Sequence, residues 1–567
     1  MYNDETFEVR KRVNEASTWD QATNAIKPNL SKGSILSQSK ADVQTFYFRN
    51  QLNFNRLFGK LHEVNFAAGV ETSDKLTKGY AYPTSYGYND NTLSVGSFPN
   101  GPGGSFFPLK NWMGNSLSFG YTNSFSERTD RFFSLYGNLS YTFNKKYTLS
   151  GSARTDASNL ITDDPAYRYA PFWSVGGLWN VKSENFMNSV HWLNSLKFRI
   201  TYGYNGNVDR STAFRPLLSL GSSPNVYTQE IIASISSFGN PTLRWEKTGT
   251  LNLGLDFSML ENSLFGKIEA YKKTGTDLLA SIAIPAINGT SNQKLNNAEM
   301  VNRGIELTLG TQLKLKGNDI LWKGSMNIFY NDNKITKLFK TDYRPFMLTA
   351  GNVNSYVVGY NANTYWSYEY LGIRESDKQP IIKGPGNNVF AMSATTSGDG
   401  RDFLMKMGTR VAPYGFGFNT GFKVYDFDVS MVLTGKFGYK FRRSTFNYSN
   451  RTPNNKLSEV QNGDPNKIVP LPLNDAEPLY YRWTNNIPYL NYLATNASHF
   501  RLQEVNLNYN ISPKLLQLLR LKGNISIYAQ GNNLFTILAN KYNEDPEYPV
   551  GSLKPMPQYT FGAKINF

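Results

Sequence analysis

Three histidines, His62, His191 and His499, are the only imidazoles in the chain, and they lie far apart in sequence. No H-E-x-x-H or H-x-x-x-H spacing occurs, so nothing here presents two ring nitrogens on one helical face as a zinc site requires. The stretch SGDGRD (397–402) is similar to a calcium loop, but only Asp399 and Asp402 supply carboxylates, and a plain turn is expected. GPGNNVF (384–390) and NGPGG (100–104) lack the strand-then-helix setting of a phosphate loop. There are no cysteines, which removes thiolate catalysis, disulfides and Cys-ligated metal. The expectation is no catalytic, metal or cofactor site, and no enzyme. What remains is binding chemistry. YAYPTSYGY (80–88) and TYWSYEY (364–370) are aromatic clusters in long connecting segments. Tyr82, Tyr86, Tyr88, Tyr365 and Trp366 are the candidates for stacking on sugar rings; the alternatives are a membrane-interface girdle and loop–loop packing.

Those clusters must be carried by some scaffold, and the scaffold is legible as strands. Aromatics make up 14% of 567 residues, with 36 Tyr, 37 Phe and 46 Gly. That bias favours β structure. Mean hydropathy is −0.45 and no run is apolar enough for a membrane helix. Alternating strands of a membrane barrel average to the same value. The net charge of +16 fits contact with anionic lipid head groups or an acidic ligand, or charge spread over solvated loops, since no block of five like charges occurs. No nucleic-acid partner is expected.

About fifteen segments alternate apolar and polar residues. They start with Phe46, Phe48, Leu52 and Phe54 opposite Thr45, Tyr47, Arg49, Gln51 and Asn53, and end with YTFGAKINF (559–567). Between them lie 64–70, 133–143, 147–153, 173–181, 196–204, 250–257, 265–273, 304–310, 322–330, 416–424, 427–433, 505–511 and 524–531. At ~8–12 residues each is long enough to cross a bilayer when tilted. Short turns (59–60, 144–146, 261–262, 316–319, 425–426) alternate with long segments (73–132, 155–172, 205–247, 274–303, 332–414, 436–500, 532–557). SLSFGYTNSF (116–125) also alternates but breaks that rhythm, so it is placed as a ribbon within a loop. The fold expected is an all-β transmembrane antiparallel barrel with long extracellular loops and short periplasmic turns. Polar residues such as Arg49, Arg154, Arg199 and Glu306 face its interior.

Several segments resemble the SusC/RagA family of TonB-dependent outer-membrane transporters: GNPTLRWEKTGTLNLGLDFSMLENSLFGKIEAYKKTGTDLL (239–279), AEMVNRGIELTLG (298–310), SLYGNLSYTFNKKYTLSGSARTDASN (134–159), HFRLQEVNLNYNISPKLL (499–516) and QGNNLFTI (530–537). The resemblance covers residues 43–567, read as the C-terminal part of a barrel with about 15 of 22 strands. It implies uptake of oligosaccharides or peptides across the outer membrane, driven by TonB and the proton-motive force, with a SusD-like surface lipoprotein as partner. The end pattern Thr560, Gly562, Ile565 and Phe567 resembles the signal read by the barrel-assembly machinery, and outer-membrane lipid or lipopolysaccharide is the expected surround. Residues 1–42 read as a polar extracellular-loop remnant. Signal peptide, TonB box and plug are absent from the sequence, so a fragment or split gene is expected. The alternatives are a structural or docking barrel and a non-transporting truncated fragment.

Overall fold

The computed structural model describes residues 7–96, 109–110, 116–117, 124–220, 224–285, 287, 292–315, 320–340, 342–351, 355–392, 398–445, 457–469, 485–518, 523–548 and 552–566. Its main feature is one sheet of fifteen strands, labelled here in chain order. They are β1 (Ser39–Phe58), β2 (His62–Ala81), β3 (Ser124–Phe143), β4 (Tyr147–Ser158), β5 (Ala170–Asn180), β6 (Leu193–Asn207), β7 (Glu246–Met259) and β8 (Leu264–Ala283). The rest are β9 (Asn292–Leu315), β10 (Ile320–Lys337), β11 (Tyr414–Val424), β12 (Phe427–Phe437), β13 (His499–Asn510), β14 (Asn524–Leu538) and β15 (Gln558–Asn566). Sheet order follows chain order. From β4 to β15 every pairing is antiparallel. All fifteen expected segments are strands of this sheet. Among the described residues no helix is long and apolar enough to cross a membrane.

The register sorts side chains into two faces. One row reads Phe198, Leu255, Ile268, Leu307, Ile328 and Phe416 across β6 to β11. The next reads Ile200, Leu253, Ala270, Ile305, Tyr330 and Tyr414. Ile268 and Ile305 stay 41% and 55% exposed. A continuous open apolar face of this extent belongs against lipid, not water. The opposite face carries Arg199, Asp256, Glu269 and Glu306.

The turns follow from the residues that make them. Gly59-Lys60, Asn144-Lys145, the run Leu260 to Asn262, and Tyr425 all have positive φ, which tight hairpins of this hand demand. The turn at 316–319 lies outside the described residues. The strands overrun the lengths expected: β8 has 20 residues and β9 has 24. The segments 274–303 and 73–132 are therefore partly strand. A bulge near Gly275 and Leu278, with Asp277 at φ 56°, lets the β8–β9 hairpin continue past the point where the membrane pattern stops. Ser116–Leu117 pairs with Leu109–Lys110 apart from the main sheet, Ser124 and Phe125 begin β3, and residues 118–123 lie outside the described part.

The chain divides into two compact units, Met1–Asn50 with Val70–Ser134, and Gln51–Gly69 with Leu135–Phe567. In the first, helix Phe7–Glu15 leads to a small cluster of Ala16, Leu30 and Tyr86, joined by Val13 and Ile35. Strand Ser34–Leu36 pairs with Ser85–Tyr88. In the second, the segments after β10 and after β12 share a core: Tyr368, Ile382, Met392, Ile487 and Leu490 are at most 1% exposed.

Candidate functional site

On the polar face of the sheet, Arg199 of β6 reaches across to β7 and β8. Its guanidinium donates to both oxygens of Asp256 at 2.6 and 3.0 Å and to Glu269 at 3.2 Å. Lys267 donates to the other Glu269 oxygen at 2.9 Å. Gly254, opposite Arg199, leaves room for this: a Cβ there would sit 2.8 Å from Nη2. Glu306 faces Glu269 across β8 and β9. Arg154 pairs with Asp156 at 2.6 Å and lies over Tyr136. A shallow cavity of about 320 Å³ is lined by Asn53, Asn65, Asn138, Ser150, Ser152 and Ser174 together with the apolar Phe66, Ala67 and Leu139.

The loop core of the second unit carries a second polar assembly. Arg442 lies between the rings of Tyr365 and Tyr489, 5.0 and 4.8 Å from their centroids. It donates to the carbonyls of Thr349 and Trp366 and to Ser367 Oγ. Among the described residues its buried Nε has no acceptor. Burial pushes its pKa down, and the nearby Arg410 adds to this. Arg443 instead holds two carboxylates, Glu459 at 2.8 Å and Glu544 at 2.9 Å, with its plane 3.4 Å from the Tyr542 centroid.

Arg501 at the start of β13 pairs with Asp545 at 2.6 Å and Glu547 at 3.1 Å, and Lys436 also reaches Glu547. Burial works to raise both acids, but these cations, and for Asp545 the Glu547 amide, outweigh it and hold them below the ordinary range. A cavity of about 200 Å³ beside them is lined by Arg501, Gln503, Asn533, Asp545, Glu547 and Lys554, among others. Alternating fixed charges of both signs match a polar or zwitterionic guest by complementarity.

The candidate aromatics fall in different places. Tyr82 is 50% exposed. Tyr86 is 8% exposed within its small core, and Tyr88 donates to Asp90 at 3.2 Å. Trp366 is 3% exposed and packs edge-on to Tyr360, while Tyr365 lies against Arg442. The three histidines do not converge: His62 bonds Tyr141, His191 is exposed in a turn, and His499 is buried against Tyr439 and the Ala497 carbonyl. Asp399 caps the short helix Gly400–Phe403 and is gripped by Arg401. Among the described residues no group of three His, Asp or Glu is placed to hold a metal ion. Thr560, Gly562 and Ile565 lie on β15, and Phe567 lies outside the described residues.

Sequence reasoning missed Arg442, Arg443, Arg501, Asp545 and Glu547. Their partners lie up to about a hundred positions away, which no local spacing encodes. The one local signal is the acid-rich run NEDPE (543–547).

A sheet apolar on one side and ion-paired on the other, capped by folded loops at the ends away from its short turns, is the wall of an integral outer-membrane barrel. The model of the family "TonB dependent receptor-like, beta-barrel" matches residues 3–534, and the chain belongs to that family. SusC of Bacteroides thetaiotaomicron is 27% identical over 76% of this chain and 43% of its own length. TonB-dependent receptor P26 of Formosa agariphila is 25% identical over 91% of this chain and 52% of its own. The RagAB peptide transporter structure superposes with a TM-score of 0.70 at 21% identity, over 93% of this chain and 56% of that one, a likeness of fold. The chain spans about half the length of the relatives it matches.

Proposed function

We propose that this chain is part of the wall of a SusC/RagA-type importer, working with a SusD-like surface lipoprotein and powered by the TonB complex. The observation that carries this reading is the two-faced sheet. Its polar face holds the Arg199–Asp256–Glu269–Lys267 network against a neighbouring phase that is not lipid. The solute is an oligosaccharide or a peptide; a relative in fold is titled a peptide transporter. Among the aromatic candidates Tyr82 offers an open ring, and Tyr86, Tyr88, Tyr365 and Trp366 shape the loops that meet the solute. No chemistry is done on it.

The end strands of the sheet order, β1 and β15, are where further strands join, with the plug, to complete the barrel. Thr560, Gly562 and Ile565 on β15 present the signal to the assembly machinery. Two measurements test the reading. An immunoblot of source-cell outer membranes is expected to show a band well above 64.0 kDa. Uptake of labelled oligosaccharides or peptides by those cells should fall to background on deletion of the gene and on collapse of the proton-motive force. A band near 64.0 kDa with no gene-dependent uptake would favour a structural or docking barrel instead.

A further inference from the structure

Beyond the two apolar rows, the same face of the sheet changes character within one step. The next row reads Tyr202, Leu251, Lys272, Arg303 and Asp332 across β6 to β10. The row after it reads Tyr204, Gly249, Thr274, Val301 and Lys334, and Lys247 follows two positions along β7 from Gly249. Lys272 and Arg303 are direct cross-strand partners. Like charges so placed repel and weaken the pair. Lys272, Arg303 and Lys334 are exposed. None of the four cations makes an ion pair among the described residues, whereas Lys337, farther along β10, is held by Glu299 at 3.2 Å. Asp332 is the one carboxylate in these rows.

Level matters as much as charge. Tyr202 packs edge-on to Tyr204 and to Trp173, Tyr204 lies tilted against Trp173, and Tyr330 meets Tyr414 one row nearer the membrane centre. Tyr and Trp of barrels sit at head-group depth. The four cations lie at and just beyond this aromatic level, at the end opposite the short turns, which is the outer leaflet. Long cationic side chains at this level can lay their alkyl stems on an apolar wall and extend their charges to head groups.

We infer that Lys247, Lys272, Arg303 and Lys334 form a binding patch for the phosphates of an outer-leaflet glycolipid. An anion between Lys272 and Arg303 converts their repulsion into two charge-assisted hydrogen-bonded contacts. Charge complementarity and the adjoining apolar rows for acyl chains select a lipid over a soluble anion. The inference stands on membrane placement alone and holds whatever the solute is.

The full chain, purified from outer membranes in mild detergent, is analysed by native mass spectrometry for retained phosphorylated glycolipid. The double variant Lys272→Gln/Arg303→Gln is expected to hold it about 30-fold more weakly, at roughly a factor of five per cation. Lys323→Gln, on the opposite face, is expected to retain it as wild type does. Resistance of the folded band to SDS checks that the variants fold. If the double variant does not fold, wild type is titrated with phosphorylated and dephosphorylated glycolipid, and a preference for the phosphorylated form is expected. Equal retention by the double variant, equal binding of both glycolipids, or displacement by inorganic phosphate at millimolar concentration would each overturn the inference. So would loss from the variant of a bound protein or second copy with its lipid intact.

Discussion

Arg442 shows how one side chain ties loops distant in sequence into a single piece. It joins residues 349, 366, 367 and 489 through hydrogen bonds and ring contacts. Arg442→Met keeps most of the volume but orphans two carbonyls, so the loop core should lose about 2–4 kcal/mol. Limited proteolysis should then cut within residues 342–392 while the sheet stays intact. Arg442→Lys should not rescue it, because an ammonium lacks the planar fork that reaches these acceptors from between two rings. Lys340, in the same loop, is driven by burial to about 8. The unfolded chain holds that proton until about 10.4, so the loop gains stability as pH rises between those values. Peptide mapping after amine-reactive labelling should show a Lys340 midpoint near pH 8 that returns to the ordinary lysine range in denaturant.

Single strands divide their residues between two solvents, and adjacent positions should respond in opposite ways. Leu255→Arg places a cation on the apolar face of β7 and should cost about 2–4 kcal/mol. Asn252→Arg, three residues away on the polar face, should cost far less; unfolding in urea from detergent or bilayer separates the two. On β15, Gly562 pairs with Tyr528, and a Cβ there would lie 2.6 Å from its hydroxyl. Gly562→Val should therefore cost about 1–3 kcal/mol through overpacking and lower the fraction of SDS-resistant folded chain. The fifteen strands were readable because lipid on one side and water on the other impose a strict period of two. Phe46, Phe48 and Leu52 on β1 display it, as does Tyr559 to Ile565 on β15. Where that contrast ends, as beyond Lys272 on β8, the period fades although the strand continues, so the outer strand ends were not readable. The loop core escaped for another reason: Tyr368 and Leu490 touch across more than a hundred residues, and only the sheet brings their segments together.

At the scale of the molecule, the sheet sets the position of the loops it carries. The polar face is fixed by hydrogen-bonded ladders, and the segment 539–548 after β14 is tied to the sheet through Arg501 of β13. Breaking that tie with Asp545→Asn should loosen the segment 539–548 without unfolding the sheet. Hydrogen exchange should show faster exchange confined to that segment and to the start of β13. The length of β9 has a separate consequence. Twenty-four residues at ~3.3 Å, tilted about 45°, rise roughly 55 Å, about twice the ~25 Å apolar band. The surplus stands outside the cell. Molecules approaching from that side would meet paired backbone, whose exposed positions Asn292 and Lys294 are open to new side chains while Asn296 and Ala298 stay buried against the neighbouring segments. Variation there can change what outsiders recognise while the membrane-embedded rows stay as they are.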